Sequence, residues 1–350
     1  MLAAQRALGY STLMAPTPRI FSGMQPTGTG ELHLGNYLGA LSNWVQLTAA
    51  GKHEAIFCVV DAHSTTIEYD PKAMPARIFG TALSYLAAGL DPERCTLFVQ
   101  SQVPEHMELA WYLGTVTAIG DLNRMTQFKD KSDQHQHNVN AGLFTYPILM
   151  AADILVYKAT AVPVGEDQVQ HLELSREICR RFNRRYGEIF PEPKALLTKT
   201  SRIMGLDGKT KMSKSRGNSI DLFDTPKVVE KKIKSAFTDE KKLRLGDPGR
   251  PEICNVFTMH TALTDAAEVQ DIDTNCRSGA LGCGDCKKRL VESVNGALGP
   301  IQKRAEEYRA EPERVLSVLQ NGAEVARGIA RETLTEVRER MGLRVEAPKK

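Results

Sequence analysis

Several groups of residues in this chain have types and spacing that could do chemistry. The loop Ser22–Gly30 carries Pro26, Gly28 and Gly30 and runs into His33-Leu34-Gly35-Asn36 at the start of an apolar-periodic stretch. A glycine-rich loop entering a helix N-terminus suits an anion, because free N–H groups and the helix dipole both favour phosphate. His33 can donate a hydrogen bond to a phosphate oxygen, and Asn36 can donate without carrying charge. Gly35 lets a ligand approach the backbone closely. Alone, this signal is weak, since a histidine at a helix start is commonly a capping or surface residue. The second group is Lys211-Met212-Ser213-Lys214-Ser215, bracketed by Gly205, Gly208 and Gly217. Two lysines three apart in such a loop can close on a polyphosphate, although many lysine-rich turns are simply solvated.

Asp153 sits in the otherwise apolar run Leu149-Met-Ala-Ala-Asp-Ile-Leu155. A buried carboxylate there costs on the order of several kcal/mol unless it is paired, so it has either a structural partner or a ligand. Gly165-Glu166-Asp167-Gln168 follows an apolar run and opens a helical pattern. Acidic residues in a first turn suit the dipole without any function. The seven cysteines are an odd number in a long chain, which argues against a disulfide framework. Cys58 and Cys179 read as core residues, and Cys95 precedes a strand. Cys254, Cys276, Cys283 and Cys286 follow the pattern C-x21-C-x6-C-x2-C, with Gly279, Gly282 and Gly284 among them. Four thiolates so grouped suit Zn²⁺ or an iron–sulfur cluster.

The elements that must position these residues come from a chain of 350 residues, enough for about two domains. Apolar residues make up 42% and charged residues 25%, which excludes a disordered or fibrous chain. The sequence has no run approaching the ~18 apolar residues of a membrane span. The net charge of +3 is too near balance to announce a nucleic-acid partner. Residues 1–18 lack acidic side chains and read as a disordered extension. An acid-poor transit peptide or a second start at Met14 is the alternative; the pattern does not suit secretion. From Arg19 onward, strands alternate with helices: Arg19–Met24, Ala55–Val60, Thr96–Gln100 and Ala159–Val164 read as strands. Leu34, Leu38, Leu41 and Val45 form one helix face; Leu83, Leu86 and Leu90 form another, and Leu174, Ile178 and Phe182 a third. This pattern predicts an α/β fold with a parallel sheet, whose ligands sit outside the carboxyl ends of the strands. Residues 103–157 read as a helical insertion within a domain spanning 19–222. Residues 223–345 read as a second, all-α domain.

The His-Leu-Gly-Asn and Lys-Met-Ser-Lys-Ser strings look like the two signatures of class I aminoacyl-tRNA synthetases. Phe21-Ser-Gly-Met-Gln-Pro-Thr-Gly28, Thr145-Tyr-Pro-Ile-Leu-Met-Ala-Ala-Asp-Ile-Leu155 and Val162-Pro-Val-Gly-Glu-Asp-Gln168 resemble the bacterial tryptophanyl-tRNA synthetases, from about Arg19 to Leu343. The tyrosine enzymes share the fold but usually differ in the first loop. The resemblance implies a Rossmann-type catalytic domain, with activation of L-tryptophan by ATP and Mg²⁺ and transfer to tRNA(Trp). It implies that His33, Asn36, Lys211 and Lys214 act in catalysis. Gln25, Pro26, Thr27, Gly35, Gly165, Glu166, Asp167, Ile203, Met212, Ser213, Ser215 and Lys129 would join them around ATP. It further implies that Asp153 faces the indole N–H, with Phe21, His63, Tyr146, Met150, Val164 and Gln168 around tryptophan. A subset of this family carries a [4Fe–4S] cluster on a string like Cys254–Cys286, with zinc the alternative; the helical domain would read the anticodon, using basic patches at Lys231, Lys232, Lys234, Lys287, Lys288 and Arg289. A cytoplasmic homodimer pairing through the inserted segment is expected, without membrane or DNA partners. The rival reading is a synthetase-like RNA-binding or regulatory paralogue that has lost aminoacylation.

Overall fold

The computed structural model describes residues 17–126, 139–197 and 203–345, without the side chain of Asp167. Lys129 and nearly all of the expected extension 1–18 lie outside the described residues. Five strands build the sheet: β1 (Arg19–Met24), β2 (Glu54–Val59), β3 (Cys95–Val99), β4 (Ala161–Val164) and β5 (Lys194–Leu197). The order is β3-β2-β1-β4-β5, and every pairing is parallel. This is the parallel sheet that the alternation predicts and the Rossmann-type sheet that the resemblance implies. The order reverses between β1 and β4, and a crevice opens at such a switch point. The Ser22 hydroxyl ties the two strands there, donating to the Pro163 carbonyl at 3.0 Å.

The strands bury both faces. Ile20, Phe57, Val59, Leu97 and Val99 enter one core; Phe21, Ile56, Cys58 and Phe98 enter the other. That alternation follows from the two-residue period of a strand. The first core is covered by a helical rod made of α1 (Leu34–Asn36), a π-type turn (Tyr37–Leu41) and α2 (Ser42–Ala49), and by α4 (Met74–Ala88). Between them, α3 (Asp61–Ser64) follows β2. The second core is covered by α5 (Glu105–Gly114), α6 (Ile119–Asn123), α7 (Ala141–Leu155) and α8 (Val169–Tyr186). Leu174, Ile178 and Phe182 of α8 are buried as their spacing requires.

Past the sheet come α9 (Pro226–Lys234), α10 (Asn255–Leu263), α11 (Ala266–Ser278), α12 (Cys283–Ala310) and α13 (Pro312–Arg340). The last two helices return to the cores that flank the sheet. Leu290, Val294 and Leu298 of α12 join the first core, and Ala326, Ala330 and Leu334 of α13 join the second. Gly322 lets α13 press on β3: a Cβ there would collide with the Leu97 carbonyl. Among the described residues no helix is long and apolar enough to cross a membrane.

Candidate active site

The crevice at the switch point is a cavity of about 900 Å³, ample for a nucleotide beside a small molecule. Its floor is the end of β1, from Phe21 to Gln25, and the end of β4, from Val162 to Glu166. Helix α4 holds the loop that follows β1. The Tyr85 hydroxyl accepts the Met24 N–H at 2.9 Å and donates to the Cys58 carbonyl at 3.1 Å. Thr81 donates to the Gly30 carbonyl at 2.7 Å, and Ser84 accepts the Leu32 N–H at 3.1 Å. Gly30 has φ of +86° and lies where any Cβ would strike the Arg77 backbone, so only glycine fits. Pro26 is buried in this loop and Thr27 is exposed, with its carbonyl accepting the Gly30 N–H at 2.8 Å.

The first signature caps its own helix. His33 Nδ1 accepts the Asn36 N–H at 3.2 Å, while Asn36 Oδ1 accepts the His33 N–H at 3.1 Å. This reciprocal box fixes both side chains. With Nδ1 accepting, the ring proton belongs on Nε2, and Asn36 keeps its amide donors for the cavity, which both residues line. Burial, then the charges of Lys214 and Lys211, lowers the His33 pKa to about 4. At neutral pH His33 is therefore an uncharged donor. Gly35 lines the same wall, close against Met212.

The second signature is held by a network centred on Asn218. Its Oδ1 accepts the Ser213 N–H at 2.8 Å, and its Nδ2 reaches Asp207 Oδ2 and Thr210 Oγ1 at 2.9 Å each. Backbone N–H groups of Thr210 and Lys209, then the Asn218 amide, hold the Asp207 carboxyl well below its usual range. Met212 is buried and anchors the loop, and Ser213 and Ser215 bond each other at 2.9 Å. Lys211 and Ile203 line the cavity. Lys214 Nζ crosses to Thr29 Oγ1 at 2.9 Å and lies 3.6 Å from Asp221 Oδ1. The two signatures are also joined through the backbone: Leu34 N–H donates to Ile220 at 2.8 Å, and Leu222 N–H to Leu32 at 3.0 Å.

At the other end, α7 presents Tyr146, Met150 and Asp153 to the cavity at i, i+4 and i+7, one helix face. Asp153 is 2% exposed. Its Oδ1 accepts Gln100 Nε2 at 2.7 Å and faces His106 Nδ1 at 2.6 Å. Its Oδ2 lies 3.5 Å from His63 Nε2. The Tyr146 hydroxyl meets His171 Nε2 at 2.7 Å, and burial pushes its pKa up to about 12. Phe21, His63, Val164 and Gln168 line the same end, and Phe21 stacks on Tyr157 at 5.5 Å. Gly165 and Glu166 stand at the rim. Glu166–Gln168 forms a short 3-10 turn ahead of α8 rather than the first turn of α8 itself.

Gln100, His106, Tyr157, His171, Tyr85 and Asn218 are site-supporting residues that the sequence reading missed. Their signal was weak but present: polar residues set into apolar helix faces or strand ends, such as Thr81, Ser84 and Tyr85 in α4.

The four grouped cysteines also converge. Cys254 stands at the N-cap of α10, Cys276 in the last turn of α11, Cys283 and Cys286 in the first turn of α12. All four thiols are free. Burial, then the charges of Cys254, Cys276 and Cys283, pushes the Cys286 thiol up to about 12. A Cβ at Gly249 would collide with the Cys276 sulfur, and the buried Lys242 donates to the Cys276 carbonyl at 3.4 Å. Among the described residues, no three His, Cys, Asp or Glu side chains stand close enough to hold a metal ion as placed. The expected basic patches are partly neutralised: Lys232 pairs with Asp224 at 2.6 Å, Lys234 with Glu230 at 2.6 Å, and Arg289 with Asp271 at 2.7 Å.

Three comparisons bear on this geometry. Residues 15–299 match the family described as tRNA synthetases class I (W and Y). The tryptophan–tRNA ligase of Deinococcus radiodurans is 46% identical over 327 residues, covering 93% of this chain and 98% of that protein. The tryptophan–tRNA ligase 2 of Streptomyces avermitilis is 46% identical, covering 93% and 97%. Among solved structures, the tryptophanyl-tRNA synthetase of Campylobacter jejuni complexed with ADP and tryptophan superposes with a TM-score of 0.82 at 35% identity, covering 93% of this chain and 99% of that one.

Proposed function

The chain belongs to the class I tRNA synthetases of the tryptophan and tyrosine family, and from that membership we propose that it is a tryptophan–tRNA ligase, activating L-tryptophan with ATP and passing it to tRNA(Trp). The observation that carries the reading is Asp153, a buried carboxylate of the cavity with Oδ1 already bonded and Oδ2 facing His63, which rejects side chains without a donor such as phenylalanine. Oδ2 accepts the indole N–H in this reading. An amino acid without that donor leaves the acceptor unpaired, and such sites can reject an analogue by ~10⁴. Phe21, Met150 and Val164 pack around the indole, while Tyr146 and Gln168 orient the amino acid.

The phosphates of ATP lie along the first signature. Neutral His33 donates from Nε2 and Asn36 from its amide, without a charge that would have to be neutralised. Gln25, Pro26, Thr27 and Gly35 shape the phosphate wall, Ile203 packs on the adenine, and Gly165, Glu166 and Asp167 face the ribose. The tryptophan carboxylate attacks the α-phosphate in line, the bond to the β-phosphate oxygen breaks, and pyrophosphate leaves. Lys211 and Lys214 stabilise that leaving charge, with Met212, Ser213 and Ser215 setting the loop's closure. Catalysis of this kind is positioning plus charge stabilisation. Lys129, expected as a further phosphate contact, lies outside the described residues. Mg²⁺ accompanies ATP, held by phosphates and water more than by protein.

Residues 19–222 form the catalytic domain, with the insertion 103–157 as the face that pairs two copies, and 223–345 the anticodon-reading domain. The expected place of work is the cytoplasm. Cys254, Cys276, Cys283 and Cys286 hold a [4Fe–4S] cluster in this reading, supported by four converging free thiols and the buried Lys242 beside them. Binding asks the side chains to draw closer than they stand. The cluster would supply a structural centre for the RNA-reading surface; aminoacylation itself needs no redox step.

Charging of a tRNA(Trp) transcript with labelled tryptophan tests the function. Accumulated aminoacyl-tRNA supports it. No product, with intact folding, favours the rival paralogue that binds RNA without charging it.

A further inference from the structure

Asp153 is held by a buried relay that passes through another part of the chain. The Tyr157 hydroxyl lies 2.6 Å from His106 Nε2, and His106 Nδ1 lies 2.6 Å from Asp153 Oδ1. His106 is fully buried at the start of α5, and Asp153 and Tyr157 lie one turn apart along the end of α7 and its exit. An ionised carboxylate can only accept, so His106 must donate from Nδ1. In a neutral imidazole Nε2 is then the acceptor, and Tyr157 donates to it. Burial, then Cys58 and Asp153, raises the Tyr157 phenol well above its ordinary value, which keeps that proton in place. Phe21 stacked on the Tyr157 ring and Phe98 set edge-on at 5.8 Å fix its orientation. Gln100 completes the hold: its Nε2 donates to Asp153 Oδ1 at 2.7 Å and stands 3.4 Å from His63 Nδ1.

The consequence is a division of labour between the two carboxylate oxygens. Oδ1 takes Gln100 and His106, while Oδ2 lies 3.5 Å from His63 Nε2, and both Asp153 and His63 line the cavity. Resting on the reading of Asp153 as the indole acceptor, we infer that His106, oriented by Tyr157, is a positioning residue for tryptophan selection: it holds Asp153 so that Oδ2 meets the indole N–H. It touches no substrate and acts only through Asp153.

The test compares tryptophan with its isostere β-(benzothiophen-3-yl)alanine, which keeps the ring shape and lacks the N–H. The ratio of kcat/KM values in ATP–pyrophosphate exchange reads the N–H contact itself, and loss of general stability does not move it. Four full-length proteins are measured: wild type, Asp153→Asn, His106→Asn and Tyr157→Phe. The last removes only a hydroxyl and keeps the aromatic packing, so it decides the matter if His106→Asn does not fold. The ratio should collapse in Asp153→Asn. It should fall about tenfold in Tyr157→Phe and in His106→Asn, the weight of one buried hydrogen bond. The KM for ATP should stay at the wild-type value. If Asp153→Asn collapses the ratio and Tyr157→Phe leaves it intact, the relay is overturned and the reading of Asp153 stands. If Asp153→Asn itself leaves the ratio intact, both fall.

Discussion

His33 and Asn36 cap each other: Nδ1 of one accepts the backbone N–H of the other at 3.2 Å, and Oδ1 of the second accepts the backbone N–H of the first at 3.1 Å. The capping reading and the phosphate reading of this signature are thus two uses of opposite ends of the same side chains. Asn36→Asp separates them. It keeps the capping oxygen but places a second acceptor where the amide donors stood. Helix stability should stay within about 1 kcal/mol, and the KM for ATP in pyrophosphate exchange should rise at least tenfold.

The same histidine predicts a pH response. Its pKa is about 4 when folded, against 6.5 ordinarily, because of burial and then Lys214 and Lys211. The folded chain binds fewer protons than the unfolded one between those values. His33 therefore withdraws stability as pH falls from 6.5 toward 4, and contributes no loss above 6.5. The ring should titrate near 4 by NMR. Lys211→Gln together with Lys214→Gln should move that midpoint upward, and an unmoved midpoint would show burial acting alone.

Asn255 ties the cysteine region to the second signature. Its Nδ2 donates to the Gly205 carbonyl at 2.7 Å inside the fold. Asn255→Ala strands that carbonyl, at a cost of about 1–3 kcal/mol. Gly205 lies in the hairpin that leads to Lys211, joined across it by the Gly205 N–H to Thr210 bond at 2.7 Å. The expected result is a raised KM for ATP with the KM for tryptophan unchanged, measured by steady-state exchange alongside thermal denaturation.

Much of this arrangement is legible in the sequence, and the rest is hidden for physical reasons. The inner strands announce themselves because burial on both faces demands unbroken apolar runs. β5 does not: it is a four-residue edge strand that is mostly exposed, so nothing in Lys194–Leu197 has to be apolar. The signatures and Asp153 stand out by residue type. Their supports do not, because Gln100 and His106 lie 53 and 47 residues from Asp153 and meet it only after the insertion folds onto the sheet. The return of α12 and α13 to the two cores is likewise invisible to local periodicity.

The four cysteines predict a visible outcome. Anaerobically purified protein should be brown and contain iron, and Cys283→Ser should lose both. If the centre shapes the anticodon surface, that variant keeps adenylate formation and shows a raised KM for tRNA. Loss of folding would make the centre a structural staple. Colourless wild-type protein containing zinc would replace the cluster with a single ion.

In the proposed function one cavity activates tryptophan and selects it through Asp153. ATP–pyrophosphate exchange across the twenty amino acids, run on the wild-type chain and on Asp153→Ala, tests it directly. The account predicts exchange with tryptophan alone in the wild type. In the variant it predicts a KM for tryptophan raised by roughly a hundredfold, the cost of about 3 kcal/mol of hydrogen bonding to a charged group, and measurable exchange with phenylalanine. Exchange driven by tyrosine in the wild type, or a variant with unchanged KM and unchanged discrimination, would contradict it.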